Sequence, residues 1–155
     1  MARLFENFVR NFYMIEAPEY RVGREDIYWG PEGVGRDIMS LLPKMVTDIS
    51  IENENSKAVI DTKFYKEALR KHFDQEKIRE QNIYQIFAYL KNLEKKGGLN
   101  LNCTGVLLYP TVDKNINETA PLDSKHRLFV RTLKLNQDWQ LIHRDLIELL
   151  SDICI

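Results

Sequence analysis

Cysteine is scarce in this chain. Cys103 and Cys154 are too few and too far apart in sequence for a metal cluster, so a reduced, partly buried pair is expected. Long apolar runs are missing as well: none approaches the roughly 20 residues of a membrane span. The N-terminus, Met1-Ala2-Arg3-Leu4-Phe5-Glu6, places an acid where a signal peptide needs an apolar stretch, so a cytoplasmic location with no membrane contact is expected. A basic excess is also lacking. The formal net charge of −1 argues against a protein that holds DNA strongly by itself. His72, His126 and His143 are scattered, which makes them surface or packing residues rather than a ligand set. Internal repeats and low-complexity linkers are absent. What remains, 155 residues with 44% hydrophobic and 10% aromatic content, suffices for one folded domain over 1–155.

Against that background one pattern carries chemistry. Asp61-Thr62-Lys63 closes the apolar run Ala58-Val59-Ile60. On an extended strand side chains alternate faces, so Asp61 and Lys63 share one side while Thr62 points away. Thirteen residues earlier, Asp48 interrupts a second strand-like run, Met45–Ile51, and the polar stretch Glu52-Asn53-Glu54-Asn55-Ser56 would fold the two together as a hairpin. Two acids and a lysine then converge. Paired carboxylates suit Mg²⁺, which prefers oxygen ligands, and a nearby ammonium can orient water or stabilise charge on a phosphate. Both acids sit where an uncompensated charge would be costly to bury, a cost that a metal would offset. Lys57, Lys63, Lys66, Arg70, Lys71, Lys77 and Arg79 gather around and after this pair, as a basic strip or as an ordinary solvated helix surface.

The remaining chain supplies a frame. Leu4, Phe5, Phe8, Val9, Phe12 and Tyr13 predict an amphipathic helix over 3–15, ended by Pro18. Tyr20–Trp29 reads as extended, closed by Gly30-Pro31-Glu32-Gly33. The longest helix is predicted from about Asp74 to Lys96 and stopped by Gly97-Gly98. Gln81, Tyr84, Gln85 and Tyr89 line one polar stripe on it, suited either to neighbouring backbone or to a substrate phosphate or catalytic group. Thr104–Tyr109, ended by Pro110, reads as a strand buried on both faces. Residues 111–125 read as polar and turn-rich, Leu128–Leu135 as another strand, and the chain closes with an amphipathic helix from about Gln137. This is an α/β order, a mixed sheet flanked by helices.

With the acids and lysine in place, several phrases resemble the PD-(D/E)XK nuclease superfamily and more closely its McrC branch, the nuclease subunit of the McrBC modified-cytosine restriction system. They are Leu4-Phe5-Glu6-Asn7-Phe8-Val9, Met45-Val46-Thr47-Asp48-Ile49, Val59-Ile60-Asp61-Thr62-Lys63-Phe64-Tyr65, Gln81-Asn82-Ile83-Tyr84-Gln85 and Leu107-Leu108-Tyr109-Pro110, in order across almost the whole chain. The resemblance implies a restriction-endonuclease-like fold with an α-β-β-β-α-β core. It implies a Mg²⁺-dependent DNA endonuclease, with Mn²⁺ able to substitute. Asp48 and Asp61 would bind the metal, with the Thr62 carbonyl as a further ligand and Glu6 completing coordination from the first helix. Lys63 would position water. Gln85 with Tyr89 resembles the Q-x-x-x-Y signature of RecB-like nucleases, and Gln81 and Tyr84 would join them on the substrate. Thr47 stands where the motif's proline is named, with Pro43 further back. The implied partners are double-stranded DNA and a McrB-like AAA+ GTPase. The N-terminal region through which McrC proteins meet that GTPase has no counterpart in these 155 residues, so a C-terminal piece or a shortened relative is expected. Two alternatives stay open: a catalytically inactive DNA-contacting or scaffold subunit, and a repair or junction nuclease of the same superfamily.

Overall fold

A computed structural model describes residues 1–30, 38, 40–64 and 78–154. Two apolar clusters on opposite faces of one sheet organise it. Helix α1 (Ala2–Glu16) is followed by short strands β1 (Arg21–Gly23), β2 (Asp26–Ile27) and β3 (Met45–Val46). Strands β4 (Ile49–Glu52) and β5 (Lys57–Thr62) form the predicted hairpin. Helix α2 (Glu80–Leu93), strands β6 (Thr104–Thr111), β7 (Asn117–Pro121) and β8 (Arg127–Lys134), and helix α3 (Trp139–Ile153) complete the order. The main sheet runs β1-β4-β5-β6-β8-β7, and β2 pairs with β3 in a separate ribbon.

The sheet is mixed, as expected. β4 and β5 are antiparallel, with Ile49 opposite Ile60 and Ile51 opposite Ala58, whereas β5, β6 and β8 run parallel. Alternation divides β5 between two layers. Ala58 and Ile60 pack with Phe5, Val9 and Phe12 of α1 and Leu146 and Leu150 of α3. Val59 packs on the other face with Ile86, Leu90 and Leu93 of α2. Asp61 has the parity of Val59 and therefore belongs to the α2 face. The buried Tyr13 hydroxyl of α1 donates to the Leu146 carbonyl of α3 at 2.9 Å, tying the two helices of one layer. Gly97 and Gly98 take positive φ (67° and 60°), the left-handed region that favours glycine, and turn the chain from α2 toward β6.

Several expectations are corrected. The extended stretch Tyr20–Trp29 splits into β1, which pairs with β4, and β2, which pairs with β3. The run Met45–Ile51 is interrupted at Thr47-Asp48, so Asp48 sits in a bend rather than in a continuous strand. The polar segment after β6 contains β7, an exposed edge strand. β6 continues through Pro110: its pairing with β5 ends at Leu108, and an edge tolerates the missing N–H. Leu4 is exposed rather than buried. Lys57, grouped with a basic strip or a solvated surface, is instead buried and paired with Glu25 at 2.7 Å and Glu52 at 3.3 Å. Lys66, Arg70, Lys71, His72, Asp74 and Lys77 lie outside the described residues. No helix among the described residues is long and apolar enough to cross a membrane.

Candidate metal and nuclease centre

The end of β5 delivers Asp61 into a cleft of about 550 Å³ lined by α1, the β3–β4 bend and Gln85 of α2. Asp61 is 1% exposed. Burial first, and the neighbouring Asp48 charge as well, push its carboxyl up to about 7, against the opposing pull of Lys63. Lys63 Nζ stands 2.7 Å from Asp61 Oδ2, as alternation along the strand predicts. Lys63 is thus the charged partner of Asp61 Oδ2, a buried oxygen that no other donor reaches among the described residues. A buried carboxylate with a single cation at its edge is costly to keep ionised.

Asp48 is held from its carboxylate end. Its Oδ2 accepts from the Thr62 backbone N–H at 2.8 Å and from the Thr62 hydroxyl at 2.9 Å. Thr62, of opposite parity to Asp61, is therefore occupied with Asp48 through its side chain. From Lys63 a relay crosses to α2. Lys63 Nζ donates to Gln85 Oε1 at 2.6 Å, Gln85 Nε2 donates to the Tyr89 hydroxyl at 2.7 Å, and that hydroxyl reaches the Val46 carbonyl at 3.4 Å. The i, i+4 spacing of Gln85 and Tyr89 makes the middle step possible. The relay returns to the chain two residues before Asp48.

Of the residues singled out in the sequence, Asp48, Asp61, Thr62, Lys63, Gln85 and Glu6 line this cleft. Tyr89 stands behind Gln85. Gln81 and Tyr84 are exposed on α2, outside the lining, and Tyr84 is 66% exposed. Glu6 is at the cleft wall, with Oε1 taking a hydrogen bond from Arg10 Nη1 at 2.7 Å and facing Arg24 Nε at 3.7 Å. Arg10, Arg24 and Asn7 were missed. The i, i+4 pair Glu6/Arg10 was a readable signal for the first of them.

The donor set suits a divalent cation. Two adjacent carboxylates, one of them buried, offer hard oxygen ligands, and a cation would lower the cost of keeping both ionised. A second cluster, Glu94, Asp123 and His126, also brings ligand atoms within 4.8 Å of one another. Its ligand atoms are already engaged. His126 Nδ1 and Nε2 face the Cys103 carbonyl and Glu94 Oε1, both at 2.8 Å. Lys91 and Lys125 pair with Glu94, Lys91 above all holding that carboxyl down to about 2. The backbone N–H groups of His126 and Lys125 hold Asp123 down to about 2. That cluster closes the end of α2 onto the β7–β8 turn, and His126 is a packing residue with no exposed surface. Cys103 and Cys154 are free thiols.

A family model described as McrBC 5-methylcytosine restriction system component matches residues 1–110. The chain belongs to that family. Another McrBC protein, the type IV methyl-directed restriction enzyme EcoKMcrBC of Escherichia coli K12, is 28% identical over 152 residues, 98% of this chain and 43% of the relative. A solved assembly of Thermococcus gammatolerans McrB AAA+ hexamers with bound McrC contains a chain of like fold. The TM-score is 0.64 at 12% identity, covering 99% of this chain and 33% of that one. The chain thus spans less than half the length of either McrBC relative, and its matches correspond to a McrC C-terminal domain with a restriction-endonuclease-like sheet.

Proposed function

We propose that residues 1–155 form a single PD-(D/E)XK nuclease domain that hydrolyses phosphodiester bonds of double-stranded DNA as the cutting element of a 5-methylcytosine-directed restriction system. The observation that carries this reading is the convergence of three groups in one cleft: the buried Asp61 carboxylate, the Asp48 carboxylate beside it, and the Lys63 ammonium 2.7 Å from Asp61 Oδ2. Asp48 and Asp61, with the Thr62 carbonyl, would hold Mg²⁺, and Mn²⁺ in its place. When bound, the cation supplies Lewis acidity that offsets charge gathering on the phosphate during in-line attack. Lys63 contributes positive charge and orients the attacking water at the cleft floor, and Gln85 fixes the direction of its ammonium. Tyr89 fixes Gln85 in turn, while Gln81 and Tyr84 extend the α2 surface toward the substrate.

The near-neutral charge of the chain fits delivery to DNA by another subunit, and the family points to an AAA+ GTPase of the McrB kind. The test is cleavage of methylated and unmethylated duplex DNA in Mg²⁺, with and without that GTPase partner and GTP. Asp61→Ala is expected to remain folded and to lose cleavage; cleavage retained in that variant would remove the assignment.

A further inference from the structure

Asp48 falls between two ladders. The β3 pairing ends with Val46 opposite Asp26, and the β4 pairing begins with Ile49 opposite Ile60. Its main chain therefore needs a donor from elsewhere, since a polar backbone group removed from water must be paired. Arg10 provides it from α1: Nη1 donates to the Asp48 carbonyl at 3.2 Å and to Glu6 Oε1 at 2.7 Å, while Nη2 donates to Asn7 Oδ1. A guanidinium is a rigid planar fork, so three fixed acceptors fix its plane. The side chains of Arg10 and Glu6 are only 17% and 16% exposed. Asp48 is thus gripped at both ends, its carboxylate by Thr62 and its peptide by Arg10.

Glu6 is committed in the same arrangement. Its carboxylate faces two guanidinium groups, Arg10 at 2.7 Å and Arg24 at 3.7 Å. Glu6 Oε1 accepts from the same Arg10 Nη1 that holds the Asp48 carbonyl, so a cation taking that oxygen would pull the guanidinium off Asp48 as well. We infer that Arg10 is a positioning residue that sets the Asp48 peptide for cation binding, and that Glu6 acts through Arg10 rather than as a ligand. This rests on the reading of Asp48 and Asp61 as the cation site. It turns the first helix from a donor of a metal ligand into a bolt that holds one.

Calorimetric titration of the chain with Mn²⁺ alone tests it, for the unaltered protein and for Glu6→Gln, Arg10→Met, Arg10→Lys, Asp48→Asn and the double variant Glu6→Gln/Arg10→Met. Loss of a group that orients a metal ligand commonly costs about 10- to 100-fold in affinity, and that is the loss expected for Arg10→Met. Arg10→Lys, which keeps a cationic donor, is expected to recover part of it. Glu6→Gln still accepts from Arg10 and is expected to change affinity by no more than a few-fold, with the double variant no weaker than Arg10→Met alone. Should Arg10→Met not fold, Glu6→Gln decides: near-normal affinity supports the inference, and a loss as deep as that of Asp48→Asn overturns it. Unchanged binding in folded Arg10→Met also overturns it while leaving the metal reading intact. Failure of the unaltered protein to bind Mn²⁺ overturns both.

Discussion

The Asp48 carboxylate takes two hydrogen bonds from a single residue, Thr62, through its backbone N–H at 2.8 Å and its hydroxyl at 2.9 Å. Position 62 lies between the acid and the lysine of the Asp61-Thr62-Lys63 motif, so the motif itself locks the more distant acid. Hydrogen bonds to a charged group are worth about 1.5–3 kcal/mol, or roughly tenfold and upward in an equilibrium. Thr62→Val keeps the shape and the N–H but deletes the hydroxyl. Mn²⁺ affinity is expected to fall about tenfold by this reckoning, with Thr62→Ser close to the unaltered protein, as read by calorimetry.

Asp61 sets a pH dependence whose sign is fixed by its shift. Its carboxyl rises from 3.8 to about 7 on folding, so the folded chain holds that proton more tightly than the unfolded one. The associated stability is fully present below the unfolded value and is lost as pH rises toward 7. Metal-free protein is therefore expected to become easier to denature between pH 4 and 7, and Asp61→Asn to flatten that slope. Above pH 7, Asp61→Asn is expected to be more stable than the unaltered chain by on the order of 1 kcal/mol while cleavage is lost. Cation binding displaces the same proton, so Mg²⁺ affinity should rise by up to about tenfold per pH unit up to about 7. Urea denaturation with chelator, and calorimetry across the same pH range, check the two halves.

The legible part of this site was its alternation. Asp61 and Lys63 meet as a period of two requires, and the Gln85/Tyr89 contact follows from helical spacing. The break at Asp48 was not legible, because the apolar run Met45–Ile51 continues across it and the reason for breaking is tertiary. Thr47 stays bonded to Glu25, donating its N–H to the Glu25 carbonyl and accepting the Glu25 N–H at its hydroxyl, while Arg10 and Thr62 take hold of Asp48. β7 was hidden for the opposite reason: Asn117-Glu118-Thr119-Ala120-Pro121 is exposed throughout and has no apolar face to announce it. Lys57 misled as a charge, since nothing local shows that Glu25, Glu52 and Asn100 will surround it.

Helix α2 carries Gln85 and is seated against Gly105 of β6. A methyl group there would stand 3.0 Å from both Ile86 Cγ1 and Leu90 Cδ1, tighter than nearly all side-chain contacts, so both neighbours would have to give way. Gly105→Ala is expected to destabilise the fold by about 1–3 kcal/mol through overpacking, with no change of charge near the cleft. Equilibrium denaturation measures the loss.

The Glu94/Asp123/His126 cluster separates a structural ion-pair network from a metal centre. His126→Asn removes a buried ring that bridges Cys103 and Glu94, and is expected to cost about 1–3 kcal/mol of stability. Mn²⁺ affinity is expected to be unchanged in that variant. Titration of both proteins under one condition checks the pair of outcomes.

Anomalous diffraction from Mn²⁺-soaked crystals of this chain locates the cation itself. A peak within coordination distance of both Asp48 and Asp61 carboxylates, beside Lys63, is the expected result. A peak on Glu94 and His126 instead, or none at the β5 cleft at saturating Mn²⁺, would contradict the assignment of these two acids as a nuclease centre.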